Sequence, residues 1–265
     1  MSEQNSPFNS PLPTPASAST TTAPSAEPVM STPETLSGIF FEPGRTFESL
    51  RVRPRFIVAA ILVLIAFMAY YVMFIQRVGH DTIAEAQIKA RNPDITEEQM
   101  AQAMSIQSKP FVRAIGYVTI PIFIAVVFAA GAGLYLLGTM AMAKSMMYKQ
   151  ALAVWVYSSL PPMLIFAVLN VVLLFIIKDV DPTVGNTGLA RANLGLLVSA
   201  KEQPVLSTVL SSIDVIAFYG LFLGALGLQK VARLSTGAAW GIVLTIWVLG
   251  VVIRAAMAAA FGTAS

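Results

Sequence analysis

The chain has 265 residues, 56% of them hydrophobic and 12% charged, with a net charge of +3 and a mean hydropathy of +0.71. A soluble domain carries about 25% charged residues, so this composition selects a bilayer as solvent and excludes an ordinary soluble enzyme. The absence of cysteine excludes disulfides, thiolate catalysis and Cys-ligated metal sites, and cations spread thinly between apolar blocks give no nucleic-acid footprint.

The first 36 residues form a Ser/Thr/Ala/Pro tract with Pro7, Pro11, Pro13, Pro15, Pro24, Pro28 and Pro33. Residues 1–35 contain no Lys or Arg and no apolar run, both of which a secretory signal needs. Such a tract buries too little apolar surface to offset its ordering entropy, so a disordered tail is expected. Residues 37–55 follow as a juxtamembrane segment. In TFESLRVR, Phe47 and Leu50 share a helical face and Arg45, Arg51, Arg53 and Arg55 surround it. This pattern predicts a short interfacial helix that contacts anionic lipid.

Residues 56–262 are then expected to form an all-α membrane domain. A span takes about 20 apolar residues at about 1.5 Å each. Five stretches qualify: Phe56–Ile75, Val118–Met142, Ala151–Ile177, Val209–Leu228 and Ala238–Ala260. Between the first two, Thr96 and Gln99 have capping-box spacing and Asn92-Pro93 forms a turn, which predicts an outer helical hairpin. In the third span Pro161 and Pro162 remove two backbone donors and predict a kink or break. In the fourth, Ala217, Gly220, Gly224 and Gly227 line one side and predict close helix packing, with a dimer face as the alternative. Gly131, Gly133 and Gly138 are similar candidates in the second.

Orientation follows from positive charge beside the spans. Arg45, Arg51, Arg53 and Arg55 precede the first, Lys144 and Lys149 lie in the second loop, and Lys230 and Arg233 in the fourth. The longer loops on the other side carry Asp81, Glu85, Asp94, Glu97, Glu98, Asp179, Asp181 and Glu202. The N-terminus is therefore expected in the cytoplasm and the C-terminus outside.

Polar groups inside spans are costly in lipid and are the candidate site. Asn170, Asp214 and Arg254 all fall about 7–11 Å below the outer surface at the helical rise. One reading is a substrate or ion site, or a proton relay. A second is an Asp–Arg pair with an Asn that fixes helix register, and a third is Arg254 snorkelling to headgroups. His80, the one histidine, stands beside Asp81, short of the three or four ligands a metal site needs. Asp214 is a single intramembrane carboxylate, whereas an aspartyl protease shares one proton between two. No nucleophile-elbow, zinc-protease or P-loop pattern occurs. The expectation is no enzyme and no cofactor.

The segments FFEPGRTFESLRVRPRF (Phe40 to Phe56), ITEEQMAQAM in the first outer loop and KQALAVWVYSSLPPML (Lys149 to Leu164) together resemble the bacterial proteins of the Yip-one domain family, the Ypt/Rab-interacting-protein superfamily. The resemblance covers residues 37–262. It implies a compact five-helix domain without a known cofactor, in a bacterial inner membrane. Eukaryotic members of similar topology are partners of Rab GTPases in vesicle traffic. A DLYGP-like segment before the third span is absent here, so that role does not carry over. Two functions remain open: a non-enzymatic membrane scaffold or adaptor, and a small transporter, channel or lipid-handling protein using the polar cluster. The expected partners are the bilayer and possible further membrane proteins or a second copy of the chain.

Overall fold

In the computed structural model, residues 29–185, 187–200 and 202–261 are described; the tail of residues 1–28 lies outside them. The described residues form ten α-helices and two short 3-10 turns, with no strand. Five helices are long and apolar enough to cross a membrane, so the chain is an integral membrane protein with the expected number of spans.

Prolines cut the N-terminal segment into two helices rather than one. α1 (Thr32–Phe41) begins inside the stretch expected to be tail, because Ser31 and Glu34 form a capping box. The Ser31 N–H donates to Glu34 Oε2 at 2.6 Å, and this bond holds the Glu34 carboxyl below its ordinary value. The cap contribution is present above that ordinary value and is lost as pH falls through the lowered one. Pro43 then bars Glu42 from helical geometry, and α2 (Pro43–Val52) starts afresh. Pro54 ends α2 in the same way.

The first span, α3 (Ile57–Val78), stops at Gly79, whose φ is 94°. The outer hairpin follows as α4 (His80–Arg91) and α5 (Glu97–Gln107), with Thr96 and Gln99 forming the expected capping box. α6 (Pro110–Ala141) starts eight residues before the expected second span. Its 32 residues measure about 48 Å, so its first turns project past the hydrocarbon. Projecting Arg113 pairs with Asp81 at 2.7 Å, and Tyr117 bonds His80 at 3.0 Å. His80 is thus a helix-to-hairpin contact.

α7 (Tyr148–Ile176) is one continuous helix, so of the kink or break expected at Pro161-Pro162 the break does not occur. The two prolines deprive the carbonyls of Tyr157 and Ser158 of their helical donors. At this notch α9 approaches closely: a Cβ on Gly220 would lie 3.3 Å from Pro162 Cγ and 3.6 Å from the Ser158 carbonyl oxygen. The backbone is enclosed by protein there, the condition under which lipid tolerates such a site.

The expected fourth span divides in two. α8 (Pro204–Ser211) is a short separate helix, and α9 (Val215–Ala232) is the span proper. α10 (Thr236–Phe261) is the fifth. α7 is the central helix, packed on α3, α6 and α9, while α10 covers α9, α8 and one side of α6. The buried face of α7 contributes Val154, Tyr157 and Leu160 to the main core with Val63, Tyr135, Leu223 and Leu228. A smaller cluster of Tyr70, Phe74, Leu174 and Val184 lies towards the α4 end.

Lipid tails are as apolar as the helix surfaces, so association here depends on close contact rather than water release. A side chain at Gly131 would fall inside the Trp155 ring, and one at Gly138 would lie 2.6 Å from Ile242 Cγ2, whereas Gly133 faces open space. Gly131→Ala is therefore expected to lower stability by about 1–3 kcal/mol through overpacking. Gly133→Ala should change it by no more than about 1 kcal/mol, with the sign of a helix-propensity gain. Thermal unfolding in detergent separates the two; equal losses would mean that Trp155 is not seated on Gly131.

Candidate functional site

Two regions were expected to carry function: the juxtamembrane arginine segment and the intramembrane polar cluster. The structure redraws both.

Phe47 and Leu50 are fully buried in the main core and so are not membrane-surface contacts. A Cβ on Gly227 would lie 2.6 Å from Val154 Cγ1 and 3.0 Å from Phe47 Cε1, so Phe47 sits wedged where α9 lacks a side chain. An amphipathic face shows the same period whether it meets lipid or protein, and here it meets α9 and α7. Polar bonds that sequence reasoning missed fix the seat. Lys230 Nζ donates to Glu48 Oε1 at 2.6 Å, and Gln150 Nε2 donates to the Arg51 carbonyl at 2.7 Å. Arg55 Nη1 donates to Thr32 Oγ1 at 3.2 Å, and Arg45 pairs with Glu42 at 3.1 Å. α1 and α2 thereby form a collar across the end of the bundle where the α6–α7 and α9–α10 turns lie. Arg53, Val52 and Phe41 point outward, Phe41 with 84% of its surface exposed.

Gly220, Gly224 and Gly227 all face protein: a side chain at Gly224 would strike the Tyr135 hydroxyl. The stripe is internal packing. Ala217 does not belong to it, because it is exposed in the first turn of α9.

Asn170, Asp214 and Arg254 are each bonded separately. The buried Asn170 donates from Nδ2 to the Phe166 carbonyl at 2.8 Å. Its Oδ1 accepts from the Leu189 N–H and from the Ala190 N–H at 2.9 Å, pinning the loop after α7. Asp214 lies at the start of α9 rather than inside a span, where it caps the helix by accepting from the Ala217 N–H at 2.9 Å. Its backbone bridges Asn193 of the same loop. Arg254 donates from Nε to the Gly250 carbonyl at 3.3 Å and from Nη2 to Ser212 Oγ at 3.2 Å. Among the described residues no ion pair joins Asp214 to Arg254, and that expected pairing is withdrawn. Reading 209–228 as one span hid a helix boundary: Ser212, the C-cap of α8, and Asp214, the N-cap of α9, mark it. Among the described residues no group of three His, Asp or Glu side chains could hold a metal.

The loop bonds have a measurable consequence. Asn170→Leu leaves the half-buried Leu189 and Ala190 N–H groups without their acceptor, each at less than the about 1–3 kcal/mol of a fully buried group, and should expose residues 177–203 to protease. Asp214→Ala removes a cap worth about 1 kcal/mol, while Asp214→Asn retains it. Asp214→Ala and Arg254→Ala should add within about 0.5 kcal/mol in the double variant. Stability restored in the double variant would reinstate the pair.

The family model described as the Yip1 domain matches residues 37–257. No curated protein and no solved structure matches the chain.

Proposed function

The chain belongs to the Yip1 domain family, and from that premise we propose that it is a non-enzymatic membrane scaffold or adaptor. It presents the α1–α2 collar, and the tail that precedes it, to a partner protein at one membrane face. The observation that carries this reading is the seat of the collar. Phe47 and Leu50 are spent on the bundle, Lys230 and Gln150 hold α2 from two different helices, and the outward surface retains exposed Phe41 and Val52. A rigidly seated segment with unspent aromatic surface suits recognition, since its ordering cost is met before the partner arrives.

The charge bias puts the collar in the cytoplasm and the C-terminus outside, as in a bacterial inner membrane, with Arg51 and Arg53 close enough to the surface to meet anionic lipid. The competing transporter reading loses its main support. Asn170, Asp214 and Arg254 each hold a loop or a helix end, and α7 is uninterrupted at the point where transporters place broken helices.

Two measurements test the proposal. Proteoliposomes containing the chain should show solute flux no greater than empty vesicles; flux that is lost in Asn170 or Arg254 variants would replace the adaptor with a transporter. Crosslinking in native membranes should recover a partner that Phe41→Ser releases while melting in detergent stays within about 0.5 kcal/mol, as expected for a surface change. An unchanged partner set after both Phe41→Ser and deletion of residues 1–28 would remove the collar and tail as the docking surface.

A further inference from the structure

The segment between α7 and α9 is patterned inside-out. In the 3-10 turn Leu194–Leu197, Gly195 is buried, and a Cβ there would collide with Ser211 Oγ. Its three leucines point outward, Leu196 with 61% and Leu197 with 76% of their surface exposed. In α8 the buried residues are Ser207 and Thr208, with Ser212 just beyond its end, while Val205 and Leu206 are exposed. A helix packed on a protein in water would turn the other way, with its apolar side inward.

Two of the three inner hydroxyls bond within the segment. Thr208 Oγ1 donates to the Pro204 carbonyl at 2.8 Å and Ser212 Oγ to the Thr208 carbonyl at 2.9 Å. The Val198 N–H reaches the Gly195 carbonyl at 3.3 Å and the Leu194 N–H the Ile213 carbonyl at 3.3 Å. Hydrogen bonds closed within the segment are what a polar backbone needs in a poor hydrogen-bonding solvent.

The level of this segment in the bilayer follows from its neighbours. The 18 residues of α9 span about 27 Å from the α9–α10 turn to Val215. Arg254, eighteen residues past Thr236, is about 27 Å along α10 from the same turn. Both distances reach the far boundary of a hydrocarbon layer about 30 Å thick. α8 joins the bundle there, packed on α10 and bonded through Arg254 and Ser212, at the level where Val215 of α9 and Val252 and Ile253 of α10 are also exposed. The exposed guanidinium of Arg254 then lies at phosphate level.

We propose that the 3-10 turn and α8 form an interfacial shelf immersed in the leaflet opposite the collar, with lipid acyl chains covering Leu196, Leu197, Val205 and Leu206. The occupant is lipid because the shelf packs on a membrane span at the level of the hydrocarbon boundary and turns its apolar residues away from the protein. Glu202, exposed in the connection between the two arms, marks the water side. Anchorage would then be two-sided, by collar and by shelf, and this inference does not depend on the adaptor reading.

The cysteine-free sequence makes the test direct. Leu197→Cys, Val205→Cys, Leu206→Cys and Glu202→Cys, each in the full chain with one environment-sensitive fluorophore, are reconstituted into phosphatidylcholine vesicles. Lipids brominated on the first part of the acyl chain should quench the labels at 197, 205 and 206 about threefold more than that at 202, and aqueous iodide should reverse the order. Three independent positions keep the test intact if one variant fails to elute like the unsubstituted protein. Iodide quenching at 197 and 206 equal to that at 202 would place the shelf in water. Protection from both quenchers, with crosslinking between copies through these positions, would make the occupant a second chain. Either result overturns the proposal.

Discussion

Everything in this bundle depends on how closely α9 can approach α7. In lipid the helices gain little from burying apolar surface, and contact distance decides whether dispersion and weak polar contacts hold them together. Two glycines on α9, Gly220 and Gly227, set that distance, and Gly224 between them sets the approach of α6. Gly220 admits the proline notch of α7, Gly224 admits the Tyr135 hydroxyl from α6, and Gly227 admits Val154 and Phe47 together. The same stripe that seats one span on another therefore also seats the N-terminal collar. Packing inside the membrane and display outside it are two consequences of one row of missing side chains.

At the end of the bundle opposite the collar, polar bonds fix the loops. Asn170 supplies one oxygen that accepts from two loop amides, and Asp214 caps the start of α9. Arg254 ties α10 to the end of α8. None of these contacts needs a partner molecule, and each of the three residues is bonded to a different part of the chain. Intramembrane polar residues often mark function, but the same cost makes them effective structural fasteners when a loop must cross the end of a bundle.

Hydropathy alone made the five spans and the all-α class legible, and the Thr96–Gln99 spacing made the outer hairpin legible, because each of these is a local pattern. The Ser31–Glu34 capping box is just as local and was overlooked inside a Pro/Ser/Thr tract. Other features depend on tertiary partners. The period of Phe47 and Leu50 reads identically for a lipid surface and for a groove on α9. A hydropathy window spanning 209–228 merges α8 with α9, because Asp214 interrupts it by one residue only. Pro161 and Pro162 lower helical propensity, yet the neighbouring glycine on another span decides that the helix continues. The bonds of Asn170 join residues 19 and 20 positions apart across an irregular loop, beyond any spacing rule.

The collar also imposes an order on biogenesis. Glu48 and Lys230 are 182 residues apart, and the groove that receives Phe47 is not complete until α9 exists. At roughly 5–20 residues per second, about 10–40 s of synthesis separates the appearance of α2 from that of its seat. During that interval Phe47 and Leu50 are an amphipathic face without a protein partner, beside Arg51, Arg53 and Arg55 and an anionic leaflet. A nascent chain can hold the segment at the lipid surface first and transfer it to α9 later. Arginines that bond Glu42 and Thr32 in the finished protein would then also serve the unfinished one.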